Sequence, residues 1–161
     1  MKKLIAALSL IALVGCSHQN TKATEYQPTT FAGWQIVYGD RWQFALPPGF
    51  QKKGDTYYNG EMFVHLMSED CTSDLQTYAS DLVIETIREG SISLITSRAG
   101  HMSGKPAALL VFNVENILAA YDFVGLDGKR RAYHLVCTTA MEGQYASVLN
   151  RCLDIVKTIK F

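Results

Sequence analysis

The chain has 161 residues, of which 48% are hydrophobic and 19% are charged, and its 15 basic residues balance 15 acidic ones. This length suits one ordinary domain with a sizeable core. The balanced charge lacks the basic excess of nucleic-acid-binding domains, so we expect no nucleic acid among the partners.

The first residues of the chain have the pattern of an export signal. Lys2 and Lys3 give a positive start, and an apolar run with one serine covers residues 4–14. This run is too short to cross a hydrocarbon core of about 30 Å. A positive segment, a short apolar segment and a small residue before the cleavage point are typical of secretory signals. We therefore predict a removable signal peptide over residues 1–15.

The end of this segment, Leu13-Val14-Gly15-Cys16, resembles the lipobox of bacterial lipoproteins. In that family the cysteine thiol receives a diacylglyceryl group, the chain is cut before it, and the new amino terminus is acylated. The resemblance implies lipidation at Cys16 and a stable membrane anchor, because several acyl chains hold where one holds only marginally. An ordinary secretory signal with a chance cysteine is the alternative. Ser17 in place of Asp favours, by resemblance to enterobacterial-type sorting, an outer-membrane protein that faces the periplasm.

A polar segment rich in Thr, Gln and Asn follows the anchor. We predict a lipid-anchored flexible tether over residues 16–30, with an average reach of roughly 20 Å. Loss of Lys2 and Lys3 with the signal leaves 13 basic against 15 acidic residues, a net charge of about −2. The folded domain is expected over residues 31–161.

The domain is predicted to begin with short strands. Residues 34–38 and 42–46 form a hairpin across Gly39-Asp40, because apolar and other side chains alternate in the second run. The prolines at 47–48 end that run, since proline cannot continue a central ladder. Another strand end and turn at residues 57–60 leads into a strand over residues 62–67.

Aromatic side chains are dense in this first part. Trp34, Trp42 and Tyr57 are a possible stacking platform for a small ligand. Packing in the hydrophobic core is the more frequent role of such a cluster, so both interpretations stay open.

A helix is predicted over residues 74–89. Ser73 is a suitable N-cap, with Gln76 placed for a capping box, and Gly90 follows as a C-terminal stop. The apolar positions recur at helical spacing. They are Leu75, Tyr78, Ala79, Leu82 and Ile87.

Strands dominate the second half. One begins at Ile92, two more cover residues 107–115 and 118–124, and Asp127-Gly128 predicts a hairpin into residues 131–139. A closing helix over residues 142–159 carries an apolar stripe. That stripe comprises Tyr145, Val148, Leu149, Cys152, Val156 and Ile159. Hairpin-linked strands with two amphipathic helices predict an α+β fold, in which an antiparallel β-sheet packs with both helices.

The cysteine count is odd once Cys16 is set aside as the anchor. Cys137 shares a strand face with two apolar residues, and Cys152 lies on the apolar stripe of the last helix. We expect a disulfide between them if that helix packs on that strand, in an oxidising compartment. Two reduced core cysteines are the alternative. Cys71 would then be free, or would replace one of the pair.

Three consecutive cations follow the predicted Asp127-Gly128 turn. Lys129, Arg130 and Arg131 place positive charge at a hairpin tip. A solvated turn is the ordinary interpretation. The more specific hypothesis is a contact point for an acidic partner or for phosphate headgroups.

No catalytic or metal-binding motif is apparent. The chain lacks Gly-x-Ser-x-Gly, a phosphate-cradling glycine loop and His-Glu-x-x-His. His65 and His134 lie in predicted strands and His101 in a predicted loop, and none has ligand spacing to another His, Cys or carboxylate. We therefore expect no enzyme activity, no cofactor and no metal, with solvated or hydrogen-bonded histidines.

Three short segments resemble PsbP-like domains of the PsbP/Mog type. Residues 42–50 (WQFALPPGF) are similar to the family's opening strand, Leu-Pro and aromatic, and the turn at residues 104–107 (GKPA) resembles its central hairpin. Residues 155–161 (IVKTIKF) resemble its closing helix. With the lipobox, the chain is similar to the DcrB group of bacterial envelope lipoproteins. A disulfide between Cys137 and Cys152 is not expected of that group and would indicate a divergent branch.

The resemblance implies a non-enzymatic binding or accessory module that acts through an envelope protein partner. A protective lipoprotein, giving immunity or exclusion against a toxin, conjugation or phage, is a second hypothesis. A small-ligand binder or hydrolase that uses the aromatic cluster is a third.

Overall fold

The computed structural model describes residues 31–39, 41–88, 90–115, 118–139 and 145–161. The predicted signal, Cys16 and the predicted tether lie outside these residues, as do residues 142–144 at the predicted start of the last helix. The described elements are nine strands and two helices. In chain order they are β1 Gln35–Gly39, β2 Trp42–Leu46, β3 Gln51–Lys53, β4 Thr56–Tyr58, β5 Phe63–Asp70, α1 Leu75–Arg88, β6 Ile92–Met102, β7 Lys105–Val114, β8 Leu118–Leu126, β9 Arg131–Thr139 and α2 Tyr145–Thr158.

Seven of the strands form one antiparallel sheet in the order β3-β4-β5-β9-β8-β7-β6. The two helices cover opposite faces of this sheet, since α1 packs in one apolar cluster and α2 in the other. This arrangement confirms the predicted α+β fold, with an antiparallel sheet and two amphipathic helices.

The hairpin of β1 and β2 forms a separate two-stranded sheet and does not extend the main one. It packs on the α2 side, where backbone hydrogen bonds of 2.9 Å join Gln43 and Lys160 in both directions. The Thr158 hydroxyl also accepts a 2.8 Å hydrogen bond from the Ala45 amide. The sequence predicted the hairpin but not its detachment from the main sheet, which depends on these long-range contacts.

Helix α1 begins one residue later than its predicted cap implies. Asp74, not Ser73, caps it, because the Asp74 Oδ1 accepts the Thr77 amide at 3.0 Å. Gly90 ends it as predicted, with φ of +99° and a hydrogen bond from its amide to the Ile87 carbonyl. The buried stripe also differs from the prediction, since Ile87 is 45% exposed. The buried positions are Ala79, Leu82, Val83 and Thr86.

Helix α2 covers the other face of the sheet. Val148, Cys152 and Val156 of the predicted stripe are buried, as is Ile159 just after the helix, and Ile155 is buried although it was not predicted. Tyr145 is 38% exposed and is an exception.

Several strands extend beyond their predicted ends. β6 continues to Met102, so His101 lies in a strand and not in a loop, and its side chain is exposed. β8 continues to Leu126, and β3 was not predicted because its three residues are all polar and exposed. These ends are decided by pairing with neighbouring strands, which local patterns do not report.

Candidate functional site

A buried acid–histidine pair lies on the α1 face of the sheet. In the β8–β9 ladder Asp122 pairs with Val136 and His134 pairs with Val124, so the two residues are diagonal neighbours on one face. The His134 Nδ1 lies 3.2 Å from the Asp122 Oδ2, and both side chains have 0% exposure. Among the described residues, the second carboxylate oxygen, Oδ1, has no hydrogen-bond partner.

Helix α1 and strand β5 extend this pair into a chain of four side chains. The Tyr78 hydroxyl lies 2.7 Å from the His134 Nε2 and hydrogen-bonds to the Glu69 Oε1. The Tyr78 ring also meets the imidazole edge-on, at 5.6 Å between ring centroids. The chain therefore links one helix to three strands of the sheet. Its members are Tyr78 of α1, Glu69 of β5, Asp122 of β8 and His134 of β9.

The positions of the protons follow from the donors available. Burial first, and then the hydrogen bond with Glu69, raise the pKa of Tyr78, so the phenol keeps its single proton. The Tyr78 hydroxyl donates that proton to the Glu69 Oε1, so the His134 Nε2 must donate to the phenol oxygen. Nδ1 and the Asp122 carboxyl then share one proton. The pair is neutral overall whichever of them holds it, which reduces the cost of burying it.

Burial also raises the pKa of Asp122, while the charge and hydrogen bond of His134 act in the opposite direction. A carboxyl group enclosed in this way cannot touch a substrate unless the domain opens. The arrangement can therefore hold α1 on the sheet and respond to pH.

This chain of residues was not predicted from the sequence, although the signal for half of it was present. A hairpin at Asp127-Gly128 brings Asp122 and His134 to the same face, and each interrupts an apolar run. The contribution of Tyr78 was not accessible in this way. Tyr78 lies 56 residues from His134 in the sequence and belongs to the predicted apolar stripe of α1.

The predicted cationic turn is held by Asp127. Its Oδ1 accepts the amides of Lys129 and Arg131, at 2.5 and 3.2 Å, which is a side-chain-stabilised turn. Arg130 adopts the left-handed region, with φ of +69°. Lys129 and Arg130 are exposed.

Arg131 does not join these two cations as a free surface charge. Its Nε lies 3.7 Å from the Asp70 carboxylate, and its guanidinium donates a 3.1 Å hydrogen bond to the Ser68 hydroxyl. The structure therefore divides the predicted set into two projecting cations and one that is tied to β5.

The three aromatic residues proposed as a platform also separate. The ring centroids of Trp42 and Phe44 are 5.7 Å apart. The Tyr57 ring meets the Phe44 ring edge-on, with 6.0 Å between their centroids. Phe44 is 1% exposed, so these contacts belong to the core. Trp34 instead packs on Phe31 at 4.9 Å, and both line a surface groove of about 270 Å³ beside the end of α2.

Cys137 on β9 and Cys152 on α2 form a disulfide, which confirms the predicted pair. Their Cα atoms are 6.4 Å apart, within the usual range, and 15 positions separate them in sequence. Cys71 is free and buried, with its thiol 3.5 Å from the Ser73 carbonyl oxygen.

Within the described ranges, no group of three or more His, Cys, Asp or Glu side chains is arranged to hold a metal ion. In the same part of the chain, neither helix is long and apolar enough to span a membrane.

Comparisons with known proteins identify the fold. The chain is similar to the solution structure of cyanobacterial PsbP (CyanoP) from Synechocystis, with a TM-score of 0.57, 14% identity and coverage of 92% of this chain and 98% of that one. It is also similar to the Ran-binding protein Mog1p of Saccharomyces cerevisiae, with a TM-score of 0.51, 12% identity and coverage of 80% and 95%. A Mog1 mutant structure gives a TM-score of 0.52 at 12% identity, with the same coverage.

No protein-family model and no curated protein sequence matches the chain. The chain therefore has a PsbP/Mog1-like fold, and the likeness is one of structure rather than of sequence.

Proposed function

We propose that this chain is a lipid-anchored accessory protein of the bacterial cell envelope, of the DcrB group, which binds an envelope protein partner and catalyses no reaction. Acylated Cys16 would be the anchor, and residues 16–30 would hold the domain beside the outer membrane in the periplasm. The signal-like start and the lipobox-like sequence before Cys16 support the anchor.

The observation that carries the binding role is a contrast in exposure. Asp122 and His134, the residues best suited to acid–base chemistry, have no exposed side-chain surface. Lys129 and Arg130 are exposed at the end of the β8–β9 hairpin, and no carboxylate of the described residues lies within ion-pair distance of either. Exposed cations of this kind attract an acidic surface and accelerate its encounter.

The structural likeness also supports a binding role. Mog1p is a Ran-binding protein, so a fold of this kind serves protein recognition in at least one other case. A fold can host unrelated functions, and for this reason the proposal depends on the exposed cations and on the sequence start rather than on the likeness.

Partner binding is tested by cross-linking capture of the full-length protein from intact cells, with identification by mass spectrometry. The double variant Lys129→Gln/Arg130→Gln should reduce recovery of the specific partner at least fivefold. Arg131 is left in place because its contacts with Asp70 and Ser68 are structural.

The matched control for capture is Lys52→Gln/Lys53→Gln, which removes two exposed cations from β3. Equal recovery by the two double variants and the unaltered protein would refute the cationic contact. The anchor is tested separately with Cys16→Ser, which should move the protein from the membrane fraction to the soluble fraction. Retention of this variant in the membrane fraction would refute lipid anchoring.

A further inference from the structure

A pocket of about 220 Å³ lies at one end of the sheet, where Arg41 meets the β6–β7 and β8–β9 turns. Three of its lining side chains are cationic and come from different parts of the chain: Arg41, Lys105 and Lys129. The remaining lining residues are Asp127, Tyr133 and Phe161. The cations lie far apart in sequence, so their convergence is a product of the tertiary structure.

The floor of this cationic pocket is aromatic and ordered. The rings of Tyr133 and Phe161 stack nearly parallel, with centroids 4.3 Å apart and 6° between their planes. The Lys105 Nζ lies 5.4 Å from the centroid of the Phe161 ring and donates to the Asp127 carbonyl oxygen. An ammonium group has three donors, so Lys105 is held in place with further donors available for a ligand.

The charge of the pocket is positive overall. Asp127 is the one acidic side chain among the described residues that line it, and its Oδ1 already accepts two backbone amides of the turn. In the part of the chain that the structure describes, no carboxylate lies within 4.0 Å of the charged groups of Arg41, Lys105 or Lys129. Arg41 also holds a left-handed backbone, with φ of +67°, where glycine would be less strained.

From this geometry we infer that the pocket of Arg41, Lys105 and Lys129 is a binding site for a phosphate group. An arginine fork and two ammonium groups converging from separate turns suit an anion with several oxygens. Three cationic side chains against one acidic side chain favour an anionic ligand, and the aromatic floor accommodates a substituent attached to the phosphate. This site goes beyond the proposed protein contact, because Arg41 and Lys105 play no part in that contact.

The test measures lysine acylation in the full-length protein in neutral detergent, with residue-level readout by mass spectrometry. Inorganic phosphate, compared with chloride at equal ionic strength, should slow acylation of Lys105 and Lys129 at least threefold. Lys52 and Lys53 should react at unchanged rates. Arg41→Gln should raise the half-protecting phosphate concentration at least fivefold, whereas Arg98→Gln, which removes an exposed cation from β6, should not.

A second arm distinguishes the source of the phosphate. The protein is placed in neutral vesicles with or without phosphatidylglycerol, in buffer without phosphate. Protection by inorganic phosphate supports a site for free phosphate, and protection only by the anionic lipid supports a headgroup site. No protection in either arm, or equal protection by chloride or at Lys52, would overturn the inference. Thermal unfolding of each variant shows that it is folded.

Discussion

The two helices are attached to opposite faces of the sheet by different kinds of interaction. Helix α2 is joined to β9 by the Cys137–Cys152 disulfide and buries four of its side chains among apolar neighbours. Helix α1 has no covalent link, and Tyr78 connects it to a buried carboxyl and an imidazole.

The two faces should therefore respond to different conditions. Apolar packing and a disulfide change little between acidic and neutral pH, whereas the protonation of Asp122, whose pKa is raised by burial, depends on pH. We therefore expect the α1 face to be sensitive to pH and the α2 face to be sensitive to reductant.

The largest effect is expected from His134→Leu, which leaves Asp122 buried without its partner. Breaking a buried pair from one side costs about 3–5 kcal/mol of unfolding free energy. Urea unfolding measures this loss, and hydrogen exchange should accelerate more in α1 than in α2. The double variant Asp122→Leu/His134→Leu should be more stable than the single one, because no buried carboxyl group is left without its hydrogen-bond partner. His101→Leu, at an exposed position of β6, is the control. A single variant no less stable than this control would contradict the role of the pair.

Removal of the disulfide by Cys137→Ala/Cys152→Ala should cost about 3 kcal/mol, the value for a closed loop of about 15 residues. A reductant should lower the free energy of unfolding of the unaltered protein but not that of this variant, as urea unfolding with and without reductant will show. Cys71→Ala, which changes a buried free thiol, is the matched control. Faster hydrogen exchange in α1 than in α2 after reduction would contradict the expectation that the α2 face is the one sensitive to reductant.

The pH dependence has a definite sign because burial raises the pKa of Asp122 from the usual value of 3.8. The folded state then favours the protonated acid, so this contribution is complete below the unfolded pKa and is lost as pH rises through the folded pKa. Relative to Asp122→Asn, the unaltered protein should lose stability from pH 3.5 upwards, at no more than about 1.4 kcal/mol per pH unit. Urea midpoints of the two proteins measured from pH 3.5 to 7 check this; parallel curves would show that Asp122 does not titrate differently on folding.

The smallest effect is expected from Tyr78→Phe, which removes the hydroxyl between His134 and Glu69 while keeping the ring. We expect a loss of about 1–2 kcal/mol, because the imidazole loses a buried partner. Tyr121→Phe is the counterpart on the other face, since the Tyr121 hydroxyl donates to the Tyr145 carbonyl of α2 at 2.9 Å. Hydrogen exchange should show loosening of α1 in the first variant and of α2 in the second. Loosening of the same helix in both variants would contradict the expectation that each hydroxyl group holds a different helix.

Much of the fold was predictable because its signals are local. Gly90 and the Asp127-Gly128 turn specify where chain direction changes, and both lie at the predicted places. The disulfide was predictable because Cys152 lies on the apolar stripe of the last helix and Cys137 shares a strand face with Tyr133 and Leu135. The cap of α1 was wrong by one residue, since Ser73 and Asp74 are both good caps and only the final backbone path selects one.

The element types, the β8–β9 hairpin and the shared face of Asp122 and His134 follow from local sequence signals. These depend on side-chain periodicity and turn chemistry, which act between near neighbours. Only the tertiary structure decided that Tyr78 meets His134, that the β1–β2 hairpin leaves the main sheet, and that Arg41, Lys105 and Lys129 line one pocket. Such contacts join residues tens of positions apart, and their geometry depends on how whole elements pack.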